Sequence, residues 1–300
     1  MDAGGRRMMN RCFFGTQHRP YYIVAPDYRH TSAGIRVMHQ LCHGLNEIGA
    51  SAHITGCTTL NARLRTPPLT TAVINGHARA GLDPIAVYPE IIAGNPLNCR
   101  RVVRYILNTP GHIGGPDTFD PGEILYAYDP YFVPAGMKAK ILTVPCTDDR
   151  IMHNRDNPDD GNRQGAFFYA MKYRHFGNEI DDGLHPGATD LSDRVRSVEE
   201  IAAILRKAAV LYCYEPSGIT IDAILCGCPV VYVLTDYMPQ RPAQIFFGEH
   251  GACTARPGQP PDPDKLRIAR NSLIYCPHEY RRKIAQQWIA LEHFFDDTQK

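Results

Sequence analysis

The chain has 300 residues, enough for about two domains. Hydrophobic residues make up 44%, so each half can bury a core, while 32 Lys+Arg against 31 Asp+Glu leave a formal net charge of +1 and no electrostatic reason to expect nucleic acid as a partner. No apolar run approaches the roughly 20 residues that span a bilayer, so function must come from local sites.

The first residues, MDAGGRRMMNRCFFGTQH, carry Arg6 and Arg7 with no apolar stretch behind them, which argues against a secretory signal. Positions 1–18 are expected to be a disordered tail. The ten cysteines show no C-x-x-C spacing, and Cys42 and Cys213 sit inside apolar runs. They read as small core hydrophobes in a reducing, cytoplasmic protein.

Positions 21–25 (YYIVA) form a buried strand by pattern. After the loop PDYRHTSAG, Ile35, Met38, Leu41, Cys42, Leu45 and Ile48 recur at helical spacing, and Gly49 closes that helix. Positions 52–55 (AHIT) read as the next strand, completing a βαβ unit and implying a parallel, helix-covered sheet. Further strands are expected at 85–88, 124–127 and 141–144. The run RVVRYIL at 101–107 reads as a short helix, with Arg100, Arg101 and Arg104 on a solvated face. That face offers itself to an anionic lipid surface, a peripheral membrane contact, as the alternative. The loop NTPGHIGGP follows. Positions in the 60s and 70s carry mixed signals.

Positions 148–163 (DDRIMHNRDNPDDGNR) are polar, with Pro158 and Gly161 and almost nothing to bury, and suit a linker. Apolar character resumes at 166–170 (AFFYA). Val198, Ile201, Ile204, Leu205 and Ala208 form a helical stripe, 210–214 a strand, 219–225 a short helix ended by Gly227, and 229–234 a strand. Tyr280, Ile284, Trp288, Leu291 and Phe295 share one face of a final helix. The domains therefore read as 19–150 and 164–277, with a helix over 278–300.

Chemistry concentrates at 212–233, YCYEPSGITIDAILCGCPVVYV. A strand ends, and Glu215–Pro216–Ser217–Gly218 opens a helix at Ile219. Ligands of open α/β sheets bind beyond the carboxyl ends of the strands. Gly218 would let backbone approach a ligand, the first helical amides would accept phosphate, Ser217 and Thr220 would add hydroxyls, and Asp222 could hold a ribose. On residue types alone a plainer reading stands beside this one: Ser217 caps the helix, Asp222 complements its dipole, and Glu215 is solvated.

The segment resembles the Glu-x7-Glu region of retaining GT-B glycosyltransferases, through Glu215, Gly218, Asp222–Ala223, Gly227 and Pro229–Val230. It departs in spacing, Glu-x6-Asp, and in the second acid, which brings it nearer to a polysaccharide- and O-antigen-assembly branch with a shorter loop. SAGIRVMHQLCHGLNEIG resembles the N-terminal glycine loop and helix of that fold, with Gly34 near the donor phosphates. YPEIIAGNPLNCRRVVRYILNTPG resembles a first-domain segment of the same branch.

The resemblance implies a GT-B fold, two Rossmann-like domains facing a central cleft, with the acceptor domain first, the sugar-nucleotide domain second and the last helix returning to the first. It implies a nucleoside-diphosphate sugar as donor, a glycan or lipid-linked acceptor in cell-surface polysaccharide synthesis, and retention of anomeric configuration, in the cytoplasm or at the cytoplasmic face of a membrane. It places Glu215 on the donor sugar, Lys172 against the diphosphate with Arg174 as its competitor, and His112 facing the sugar. No cofactor and no essential metal are expected, because neither Asp148–Asp149 nor Asp181–Asp182 follows an apolar strand into a glycine loop. A nicotinamide oxidoreductase is disfavoured by a first loop with one glycine. A sugar-nucleotide epimerase of the same shape and a non-catalytic sugar-nucleotide binder are the alternatives; acceptor-dependent release of nucleoside diphosphate separates them.

Overall fold

The computed structural model describes residues 18–155, 162–242 and 246–300. The expected tail, except for His18, and part of the expected linker lie outside the described residues. His18 packs edge-on against Phe295.

Two parallel sheets organise the chain. The first contains β1 (Tyr21–Val24), β2 (Ala52–Thr55), β3 (Ile85–Pro89), β4 (Arg101–Ile106), β5 (Ile124–Ala127) and β6 (Lys140–Ile141), in the order β2-β1-β3-β4-β5-β6. The second contains β7 (Ala166–Tyr169), β8 (Thr189–Asp190), β9 (Val210–Cys213), β10 (Val230–Val233) and β11 (Ala252–Ala255), in the order β11-β10-β9-β7-β8. Helices cover both: α1 (Ala33–Glu47), α2 (Thr71–Arg79), α3 (Met171–His175), α4 (Val198–Lys207), α5 (Ile219–Leu225), α6 (Pro263–Ser272) and α7 (Cys276–Gln299). Strands buried on both faces need unbroken apolar runs; β3, β9 and β10 are buried at every position. In each sheet the first strand lies between the second and the third. The chain therefore leaves the first strand in one direction and returns on its other side, which creates a topological switch point between β1 and β3 and another between β7 and β9.

The expected helix at 101–107 is instead strand β4, held between β3 and β5. Its β-branched pair Val102–Val103 and Tyr105 favour a pleated, buried surface. Arg104 is not on a solvated face: it is 1% exposed and grips Glu123 through Nε (2.8 Å) and Nη2 (2.6 Å), and its guanidinium also donates to the Ile92 and Gly94 carbonyls. A paired, fully bonded arginine can be buried where a lone one cannot. Arg100 pairs with Asp83, and Arg101 donates to the Thr298 carbonyl. Three arginines that helical spacing would align thus go to three separate partners, and no basic face exists there.

Residues 148–155 are better packed than their polarity suggests. Met152 is buried in the second core, and Arg206 donates to the Ile151 and His153 carbonyls. The nine described cysteines are unpaired, and all but Cys57 are buried. Helix α7 belongs to both cores: Cys276 and Tyr280 enter the second, and Leu291, Phe294 and Phe295 enter the first. Gly44 on α1 admits it, since a Cβ there would lie 2.6 Å from Leu291 Cδ1.

Candidate active site

A cleft of about 1090 Å³ opens between the two sheets, at the upper end of ligand-site volumes. Residues following β1, β3, β7 and β9 line it, so both switch points open onto one space. Gly34, Lys172, Glu215, Ser217, Gly218, Ile219, Thr220 and Asp222 all line this cleft. Arg174 is not among the lining residues: it pairs with Asp190 and lies over the Phe168 ring. His112 stands beside the lining residue Ile113, with ring centroids 5.3 Å from Phe176 and 4.9 Å from Tyr237 of the second domain. Burial, helped by the charge of Lys172, lowers its pKa and favours a neutral imidazole.

On the second-domain side, Glu215 is fully buried. Its Oε2 accepts from the Lys172 and Tyr173 amides (3.0 Å for the latter), closing the first turn of α3. Among the described residues its Oε1 has no hydrogen-bond partner, and it lies 3.8 Å from Lys172 Nζ. Burial raises the Glu215 pKa despite Lys172 and the two amides. Lys172 Nζ donates to the Pro216 carbonyl at 2.8 Å and remains partly exposed to the cleft. Glu215 is therefore not solvated; it lies in the cleft wall and fixes the first turn of α3, which carries Lys172.

The loop opening α5 differs from its expected role in two respects. Gly218 has φ −64°, which any residue adopts. A Cβ there would lie 2.8 Å from Arg36 Nη2 and 2.9 Å from Ala33 Cβ, so this glycine admits α1 of the first domain rather than a ligand. Asp222 does not present a free carboxylate to a ribose: Oδ1 accepts from Thr147 Oγ1 at 2.7 Å and Oδ2 lies 3.5 Å from Arg36 Nη2. Burial works against the charge of Arg36, but Asp222 beside it keeps the guanidinium protonated above its ordinary value. Thr220 spends its hydroxyl on the Ser217 carbonyl, and the Ile221 and Asp222 amides bond the Gly218 carbonyl. Among the described residues the Gly218 and Ile219 amides have no protein acceptor.

On the first-domain side, Ser32 Oγ caps α1, placing Gly34 in its first turn. Glu90, immediately after β3, is 2% exposed and lines the cleft, with Oε2 accepting from the Leu107 amide at 2.9 Å. Sequence reasoning passed over it and over Arg36, although Glu90 comes two residues after the run at 85–88, as the third residue of YPEIIAGN. A carboxylate at a strand end is the available signal. Arg36 lies within a helix pattern and carries none.

No protein-family model matches the sequence, and no curated protein matches it. Among solved structures, a glycosyltransferase from Rickettsia africae ESF-5 superposes with a TM-score of 0.52 at 8% identity, covering 95% of this chain and 100% of that chain. SnogD from Streptomyces nogalater gives 0.46 at 14% identity, covering 93% and 100%. WaaG, a glycosyltransferase involved in lipopolysaccharide biosynthesis, gives 0.42 at 11%, covering 92% and 95%. At such identities the likeness is one of fold, and with the two parallel sheets it makes the fold GT-B, two Rossmann-like domains facing a central cleft.

Proposed function

We propose that the chain is a glycosyltransferase that moves a sugar from a nucleoside-diphosphate sugar to a glycan or lipid-linked acceptor, in the cytoplasm, in cell-surface polysaccharide synthesis. One observation carries the reading: two switch points open onto a single cleft, and the second-domain one offers a cation and two unpaired amides. Breaking the bond between a sugar and a diphosphate leaves negative charge on phosphate. Preorganised amides and a lysine stabilise that charge, each typically worth about 10²–10³ in rate. Lys172 and the Gly218 and Ile219 amides fill this role, with Glu215 setting the lysine and Asp222 holding α5 against α1. With a lysine supplying the countercharge, the reaction proceeds without an essential metal.

The test is calorimetric titration with UDP, GDP and dTDP, followed by measurement of nucleoside-diphosphate release from their sugars with and without acceptors. A bound diphosphate at 100 times its Kd stabilises the fold by about 2.7 kcal/mol. Release that depends on the acceptor distinguishes a transferase from an epimerase or a binder. If none of the three diphosphates binds, the reading is wrong.

A further inference from the structure

Five carboxylates line the cleft: Glu90, Asp129, Asp193, Glu215 and Asp222. Four of them are occupied or displaced from its centre. Glu215 is sealed under α3, and Asp222 is taken by Thr147 and Arg36. Asp193 pairs with Arg196. Asp129 accepts from the Tyr131 amide and follows β5, two strands from the β1–β3 switch point.

Glu90 remains. It sits at the carboxyl end of β3, at that switch point, buried in the cleft wall. The Leu107 amide of the neighbouring strand end donates to Oε2, and the residue's own amide also supports the carboxylate, which stays on the cleft wall. We propose that Glu90 takes the proton of the attacking acceptor hydroxyl, a role that rests on the glycosyltransferase reading above. The acceptor oxygen gives its proton to the Glu90 carboxylate and bonds to the anomeric carbon. The bond from that carbon to the diphosphate breaks, and its electron pair leaves with the diphosphate, which Lys172 and the α5 amides receive.

The surroundings suit such a base. Burial raises the Glu90 pKa from 4.5 to about 7, opposed by its backbone partners, by Lys172 of α3 and by Arg104 of β4. A base works best when its pKa lies near the operating pH. A single displacement assisted by a protein base inverts the anomeric configuration, whereas the sequence resemblance implies retention, so the product anomer discriminates.

The experiment compares wild type with Glu90→Gln, which keeps the size of the side chain and an acceptor for Leu107. Donors are UDP-glucose, GDP-mannose and dTDP-glucose; acceptors are p-nitrophenyl glycosides. Diphosphate affinity by calorimetry should change less than about twofold, while transfer falls about 10²–10⁴-fold. Wild-type rate should drop about tenfold per pH unit below pH 7, the variant should lose that limb, and the product should be inverted. A variant within threefold of wild type, an unchanged pH limb or a retained product overturns the proposal. Infrared titration gives a readout without turnover: the wild-type-minus-variant spectrum should show a carboxyl titrating near pH 7, and its absence between pH 6 and 8 also overturns it. Failure of UDP, GDP and dTDP to bind wild type would instead remove the glycosyltransferase reading.

Discussion

Glu90→Gln should make the protein more stable at alkaline pH. Above pH 4.5 the unfolded chain ionises Glu90, but the folded protein keeps it neutral up to about pH 7. The folded state therefore holds the extra proton across that window, and its stability falls as pH rises through it, levelling off above pH 7. A rise of about 2.5 units, at about 1.36 kcal/mol per unit, corresponds to ~3 kcal/mol. About 1.4 kcal/mol of this is already lost at pH 5.5, so the advantage of the variant should grow by about 2 kcal/mol between pH 5.5 and pH 8.5. Glutamine carries no charge and escapes the penalty. Urea unfolding of both proteins by circular dichroism at the two pH values measures the difference, and the change with pH cancels any constant cost of the amide. A stability difference flat with pH, or one shrinking toward pH 8.5, would refute the reasoning.

Gly218→Ala should destabilise by about 1–3 kcal/mol, the usual cost of overpacking, because its Cβ meets Ala33 and Arg36. Ala33→Gly should recover part of that loss, and strictly additive effects in the double-mutant cycle would show that the two helices do not press on each other there. Lys172→Ala should weaken UDP or GDP binding about tenfold or more while leaving the monophosphates within about threefold; equal losses on calorimetry would place the diphosphate elsewhere. Glu215→Ala strips the acceptor from the α3 amides and should cost about 1–3 kcal/mol, whereas Glu215→Gln, which keeps an acceptor, should cost less by urea titration. Transfer should survive EDTA; complete loss restored by Mg²⁺ or Mn²⁺ would overturn the metal-free mechanism.

The apolar strands were legible in sequence because strands of a double-covered parallel sheet must be apolar throughout: the expected runs 21–25, 85–88, 210–214 and 229–234 overlap β1, β3, β9 and β10, overshooting β1, β9 and β10 by a residue at one or both ends. The short strand β8 (Thr189–Asp190) is only partly buried, and α6 (Pro263–Ser272) is polar, so neither gave a periodic signal. β4 was misread because Arg104 imitates the polar face of a helix, and its partner Glu123 is 19 residues away, where no local pattern reveals it. The same limit applied at the site. The glycine loop and its acids could be found in sequence, but not their partners, because Gly218 meets Ala33 and Asp222 meets Arg36 across the domain boundary.

The two halves of the cleft share one topology and diverge in chemistry. Each sheet places its first strand between its second and third, and each has a glutamate just beyond the third: Glu90 after β3 and Glu215 after β9. Both are buried, and burial raises both pKa values. What differs is the number of groups aimed at each. Glu215 faces two helix amides and a lysine, which lock it and turn its charge to the task of setting Lys172. Glu90 has the Leu107 amide across the strand and its own amide, with Lys172 and Arg104 opposing its burial through their charge alone. The pairing of a fixed anion behind a lysine with a titrating acid opposite it gives the cleft an electrostatic direction. On the proposed reaction, departing negative charge would be drawn to the second domain and the released proton taken up on the first, the division a sugar transfer between two bound substrates requires.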